Sequence, residues 1–262
     1  MPDKQAAIAQ LAQAIEAAAA YAAGIQAVKA TMRDEREPAR DKKARFDRRL
    51  AALLKDYFDK QRVNVSRYIE DGGRLPVPQY LLDDPAMRAE ITKLLLEAAK
   101  DGLIEVTNQT GLGFDNTLTN KAAAEWANKY AGELIKGINA TTLDVVQSAI
   151  AEFADTPGFT IGDVINQLPF DTARAERIAV TEITRAYAES NQIAGDELAK
   201  EFDGVKVVKV WFTNNDDRVC PVCGPLNNKE VDIKDEFASG ISNPPAHPNC
   251  RCWTSTTTKI TK

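Results

Sequence analysis

Hydrophobic residues recur at spacings of three and four along most of the chain, a rhythm that predicts helices. Ile8, Leu11, Ala12, Ile15, Ala19, Ala22 and Ile25 share one face of an alanine-rich stretch, residues 1–30. Leu50, Leu53, Leu54, Phe58 and Val63 form a second stripe and predict a helix over 46–69. Asp71-Gly72-Gly73 ends it, because glycine takes the positive φ of a helix C-terminus. Between these stripes, residues 33–49 alternate in charge and contain Pro38, the pattern of a solvated face or hinge. Leu75–Asp84 is a proline-containing connector.

Asp84-Pro85 starts another predicted helix, with a capping carboxylate before a first-turn proline, running to about Asp101. Thr107–Leu118 is polar and Gly-containing and predicts a loop. Two helices should follow. Asn120 caps the first, which carries Trp126, Tyr130, Leu134 and Ile135 on its apolar side. Thr141 or Thr142 caps the second, with Leu143, Val146, Ile150 and Phe153 inward, and Thr156-Pro157-Gly158 ends it. A short helix near 161–168 precedes a long one from Thr172 to about Phe202, capped by Asp171.

The period then changes. Val205–Thr213 is rich in β-branched and aromatic residues and predicts a strand; Trp253–Thr258 predicts another, and Lys229–Ile233 a short third. The expected fold class is mainly α, with helical N-terminal and central regions and a small C-terminal α+β module. The expected domains are an N-terminal helical region at 1–73, a helical connector at 74–119, and a unit at 120–262 whose module occupies about 205–258.

Composition narrows the function classes. The chain has 262 residues, 44% hydrophobic and 27% charged, with 33 Lys and Arg against 38 Asp and Glu, a formal charge of −5. An acidic balance disfavours general DNA binding, which draws its affinity from clustered cations. Arg40, Lys42, Lys43, Arg45, Arg48 and Arg49 make one basic cluster, diluted by acids, so a DNA contact is open but not indicated. Ala6–Val28 is the nearest approach to a membrane span, but Glu16 and three glutamines interrupt it, so no membrane role is expected. The opening Met-Pro-Asp-Lys lacks the pattern of a signal peptide, and an intracellular, reducing setting is expected.

In a reducing compartment, clustered cysteines favour metal over disulfides. All four cysteines and the only histidine lie between 220 and 252, in the order Cys220, Cys223, His247, Cys250, Cys252. The spacing is C-x2-C-x23-H-x2-C-x-C. A C-x2-C turn aims two thiolates at one centre, and Gly224 behind it should permit the tight bend. Zn²⁺ takes four such ligands tetrahedrally. Five candidates compete for four places: Cys220, Cys223, His247 and Cys250 are favoured, with Cys252 alternative to one of the last two. A shell filled by sulfur leaves no water to activate, so the zinc is expected to be structural. The deaminase pattern needs a histidine upstream of its P-C-x2-C, which is absent, and the residues after Gly224 do not form the helix of a redox Cys-x-x-Cys unit.

Around this cluster the chain resembles the phage head morphogenesis family, the minor head proteins that include the Mu F-like proteins. The resemblance rests on three segments in order: Ile178-Ala179-Val180-Thr181-Glu182-Ile183-Thr184-Arg185-Ala186; Trp211-Phe212-Thr213 with Asp216-Asp217-Arg218-Val219-Cys220-Pro221-Val222-Cys223; and Pro244-Pro245-Ala246-His247-Pro248-Asn249-Cys250-Arg251-Cys252. It covers roughly residues 100–258; Val180 departs from the arginine common in relatives. It implies a virion component of a tailed-phage head, made in the host cytoplasm, whose partners are the portal protein and other head proteins, with no catalytic residues. A zinc hydrolase or nuclease using Asp216, Asp217, Arg218 and His247 is the alternative. Glu182 and Arg185 are expected either to pair within their helix or to pack on the zinc module. Arg218 and Arg251 are candidates to offset thiolate charge.

Overall fold

The computed structural model describes residues 37, 39–111, 116–158, 160–201 and 205–260. The predicted helix over 1–30 therefore lies outside the described residues. The first described helix, α1, spans Arg40–Glu70 and buries Leu50, Leu54, Tyr57, Phe58, Val65 and Ile69. It begins earlier than expected, and the mixed-charge run Arg40–Arg49 is its opening turns, not a hinge. Its charges find partners: Lys43 is buried against Glu37 at 2.9 Å, Lys42 reaches Asp101 at 3.1 Å, and Arg49 reaches Glu97 at 2.8 Å. The helix stops as the sequence indicates, with Gly72 at φ 77° and the amide of Gly73 bonded to the carbonyl of Tyr68.

The connector carries one 3-10 turn, Gln79–Leu81. Helix α2 spans Pro85–Thr110, and the Asp84 carboxylate accepts from the amides of Ala86 and Met87. It runs past the predicted loop boundary as far as Gly111, whose φ of 66° closes it. Helix α3 spans Asn116–Asp155 without a break where two helices were expected. Thr141 and Thr142 do not cap anything. Their hydroxyls donate back to the carbonyls of Gly137 and Ile138, the four-residue back-bond that lets threonine sit inside a helix. Helix α4, Ile161–Gln167, opens with a reciprocal Thr160–Asp163 capping box. Helix α5 spans Thr172–Glu201, with the amide of Arg174 bonded to the Asp171 carboxylate.

The strands are β1 (Val205–Phe212), β2 (Glu230–Asp232) and β3 (Trp253–Ile260), antiparallel throughout, in the order β2-β1-β3. Val208 lies opposite Asp232 on one side and Thr257 on the other. The mainly α class with a small C-terminal sheet is therefore the observed one. The largest core joins α1, α2, α3, α4 and α5 and runs from Ala39 to Tyr187. A second core seats the sheet on α2 and α5 through Leu103, Leu198, Val207 and Ile233. A third lies inside the module: Trp211, Leu226 and Phe237 pack with Cys223, Cys250 and Cys252. Helix α5 touches all three other long helices and both long strands, so it carries the module on the helical body. Among the described residues, no helix is long and apolar enough to cross a membrane.

Candidate metal centre

The five candidate ligands arrive on two loops. The first follows β1. Val219 closes a turn on the carbonyl of Asp216, and Cys223 and Gly224 both bond back to the carbonyl of Cys220. The Cys223 amide also points at the Cys220 sulfur, 3.3 Å away. Gly224 is not required for this bend. It has no left-handed φ and opens onto free space, because a 3-10 turn, Gly224–Leu226, closes the knuckle through the backbone. The second loop, His247–Cys250, turns through Asn249 at φ 62°, with the Cys250 amide bonded to the carbonyl of His247.

The loops converge. His247 Nε2 lies 3.1 Å from Cys220 Sγ and 3.3 Å from Cys223 Sγ. Cys223 Sγ lies 3.8 Å from Cys250 Sγ. Two donor triads result, Cys220–Cys223–His247 and Cys223–Cys250–Cys252, each with its ligand atoms within 4.8 Å of one another and sharing Cys223. Around tetrahedral zinc, sulfurs would stand about 3.8 Å apart and sulfur and imidazole nitrogen about 3.6 Å. Three of these edges stand near such lengths, whereas Cys250 falls in the second triad and must close further on Cys220 and His247 to complete a tetrahedron with them. The histidine is oriented for it. Its Nδ1–H faces the carbonyl of Pro248 at 2.9 Å, which leaves Nε2 as the lone-pair nitrogen aimed at the sulfurs.

The electrostatics describe sulfurs competing for protons. Burial, with Cys250 beside it, pushes the Cys223 thiol up to about 12. A hydrogen bond from Cys252 holds Cys250 down at about 5, and the same contact with burial raises Cys252. Burial opposes ionisation of Cys220 but is outweighed by the amides of Cys223 and Val222, which lower it. Burial likewise opposes charge on His247, yet the Pro248 carbonyl and the neighbouring sulfurs raise it. Several sulfurs this close can all be thiolate only beside a cation.

The structure places the charged residues around the centre and decides between the two alternatives for Glu182 and Arg185. Arg251 has a carboxylate as its main partner, with Cys252 a weaker one. Its guanidinium holds both oxygens of Asp216 at 2.8 Å, and this contact pulls the Asp216 carboxyl down to about 2. Arg218 leans on the same carboxylate at 3.6 Å. This fork ties the start of the first loop to the Cys250–Cys252 segment. Glu182 and Arg185 take the intrahelical option, at 3.2 Å, and Tyr130 of α3 donates to the same Glu182 oxygen at 2.6 Å. Their neighbours do the tying to the module. Thr181 Oγ1 accepts from the amide of Asn249 at 2.8 Å, and Thr184 donates to the carbonyl of Cys250 at 3.2 Å. Both threonines stand in the quoted helix motif three residues apart, a one-face spacing that marks them.

Two residues of the hydrolase alternative have partners within the module. The Asp216 carboxylate is occupied by Arg251, and His247 Nε2 is turned into the sulfurs. Of the basic cluster, Lys42, Lys43 and Arg49 are engaged with acids of their own chain.

Fold and site together define a helical protein that carries a small β module gathered around one histidine and four cysteines. Residues 130–255 match the model of the family described as Phage Mu protein F like protein. No curated protein and no solved structure matches the chain. The family supports a role as a phage head protein.

Proposed function

We propose that the chain is an assembly protein of a tailed-phage head, and that its C-terminal module is built on one structural zinc. The ligands are Cys220, Cys223, His247 and Cys250. The observation that carries this reading is the convergence of two loops, 24 residues apart at Cys223 and His247, to a nitrogen–sulfur distance of 3.3 Å. Cys250 takes the fourth place because it stands a tetrahedral edge from Cys223, with its amide held by His247 and its carbonyl by Thr184, although it has to move off the Cys223–Cys250–Cys252 triad toward Cys220 and His247 to do so. Cys252 then remains as a buried thiol donating to Cys250. The module's own apolar cluster is small, and zinc supplies the missing folding free energy, about 10 kcal/mol or more in small zinc units.

The head-assembly role places the chain in the virion, bound to the portal and other head proteins after assembly in the host cytoplasm. The family match supports the head role. Co-expression with the neighbouring head proteins followed by affinity purification tests it. A stable complex with the portal ring is expected, and failure to bind any head protein contradicts the reading.

A further inference from the structure

Two to three turns further along α5 from its threonines, a second group of side chains has no part in the metal site. Lys209, in the middle of β1, is buried at 2% exposure. Its ammonium stands 3.1 Å from Oε1 of Gln192 on α5 and 5.5 Å from the ring centre of Phe237. Burial lowers its pKa, which favours the free amine, against the raising pull of Asp196 and the more distant Asp235, Asp232 and Glu236. The Gln192 amide is gripped at both ends. Its oxygen also accepts from Asn243 Nδ2 at 3.1 Å, and its nitrogen donates to the Asp196 carboxylate at 3.2 Å and to the carbonyl of Ile233 at 3.0 Å. Asn243 Oδ1 is buried without a partner, so this asparagine is placed for what its NH2 does.

We propose that Lys209 and Gln192 form an intramolecular isopeptide bond, a self-made covalent strap between β1 and α5. A nucleophile, an oxyanion donor and a proton carrier all meet at one amide. Nζ stands 3.1 Å from Oε1, one bond away from Cδ, so a short slide of the amine over the carbonyl carbon would bring the reacting atoms to an attack distance of about 3–3.5 Å. Nζ of neutral Lys209 adds to Cδ of Gln192, and the charge that develops on Oε1 is held by Asn243 Nδ2. Asp196 takes the proton released by Nζ and passes it to Nε2, whose bond to Cδ then breaks. Ammonia leaves, an amide links Nζ to Cδ, and Asp196 ends as it began. Amine plus primary amide gives secondary amide plus ammonia, with no oxidant or cofactor. The bond would fix the module to α5 independently of the metal.

Intact-mass measurement of the natively purified chain under denaturing, reducing and chelating conditions is the test, followed by proteolysis and fragment mapping. The expected result is a chain lighter than its sequence mass by one ammonia, with a branched peptide joining the segments around 192 and 209. Lys209→Met and Asp196→Asn should both restore the full mass. Full sequence mass in the unaltered protein overturns the proposal. So does a lost ammonia that maps elsewhere, such as to a succinimide at an asparagine.

Discussion

Thr181 and Thr184 present their hydroxyls from one face of α5 to the backbone of the His247–Cys250 loop. Neither is a ligand, yet they hold the loop that supplies two. Thr184→Val keeps the shape and removes the donor to the buried Cys250 carbonyl. An unsatisfied buried carbonyl costs about 1–3 kcal/mol, so a loss of that size in urea unfolding is expected. Zinc content should be retained, because the knuckle and histidine are untouched. The five ligand candidates were legible in the sequence because metal chemistry restricts residue type and spacing together. The partners of Arg251 were not, since a guanidinium between two cysteines can serve a thiolate or a carboxylate equally well until the chain path places Asp216 beside it.

At the scale of elements, α1 carries a strained acid. Burial lifts Asp47 to about 6, with Lys43 drawing it down and Glu37 pushing it up, and its Oδ1 has no hydrogen-bond partner. An acid whose folded pKa is raised binds protons more readily when folded. Its penalty is absent below the unfolded value of 3.8, grows as pH rises, and is complete above about 6. Asp47→Asn should therefore match the unaltered protein near pH 4 and exceed it at pH 7, by up to about 2 kcal/mol in denaturant midpoints. Helices α2 and α5 meet at Gly102, where an added Cβ would lie 2.7 Å from Ser190 Oγ and 2.8 Å from its Cβ. Gly102→Ala should destabilise by about 1–3 kcal/mol, read as a lower melting temperature. Two helix starts were visible in the sequence, since Asp84 and Asp171 cap as expected, whereas Asn120 lies inside α3 and the Thr160 capping box was not foreseen. The break expected at Thr141 was not real: a threonine that caps and one that bonds back four residues look alike until the neighbouring turns are known.

The whole molecule joins a large helical core to a small module that α5 carries. The two should part under chelation. Removing the metal should loosen the two loops that carry the cysteines and histidine, seen as fast amide exchange at 213–229 and 234–252, while α1 to α3 keep their protection. The mainly α class was readable because periodicity reports burial directly. The seating of the sheet on α2 and α5 was not, because it depends on close approaches such as Gly195 against Ile233.

The account rests on one ion held by four side chains. Elemental analysis of the natively purified chain should find one zinc per polypeptide. A chain that is fully folded, with the module's amides protected, and contains no stoichiometric metal would contradict it.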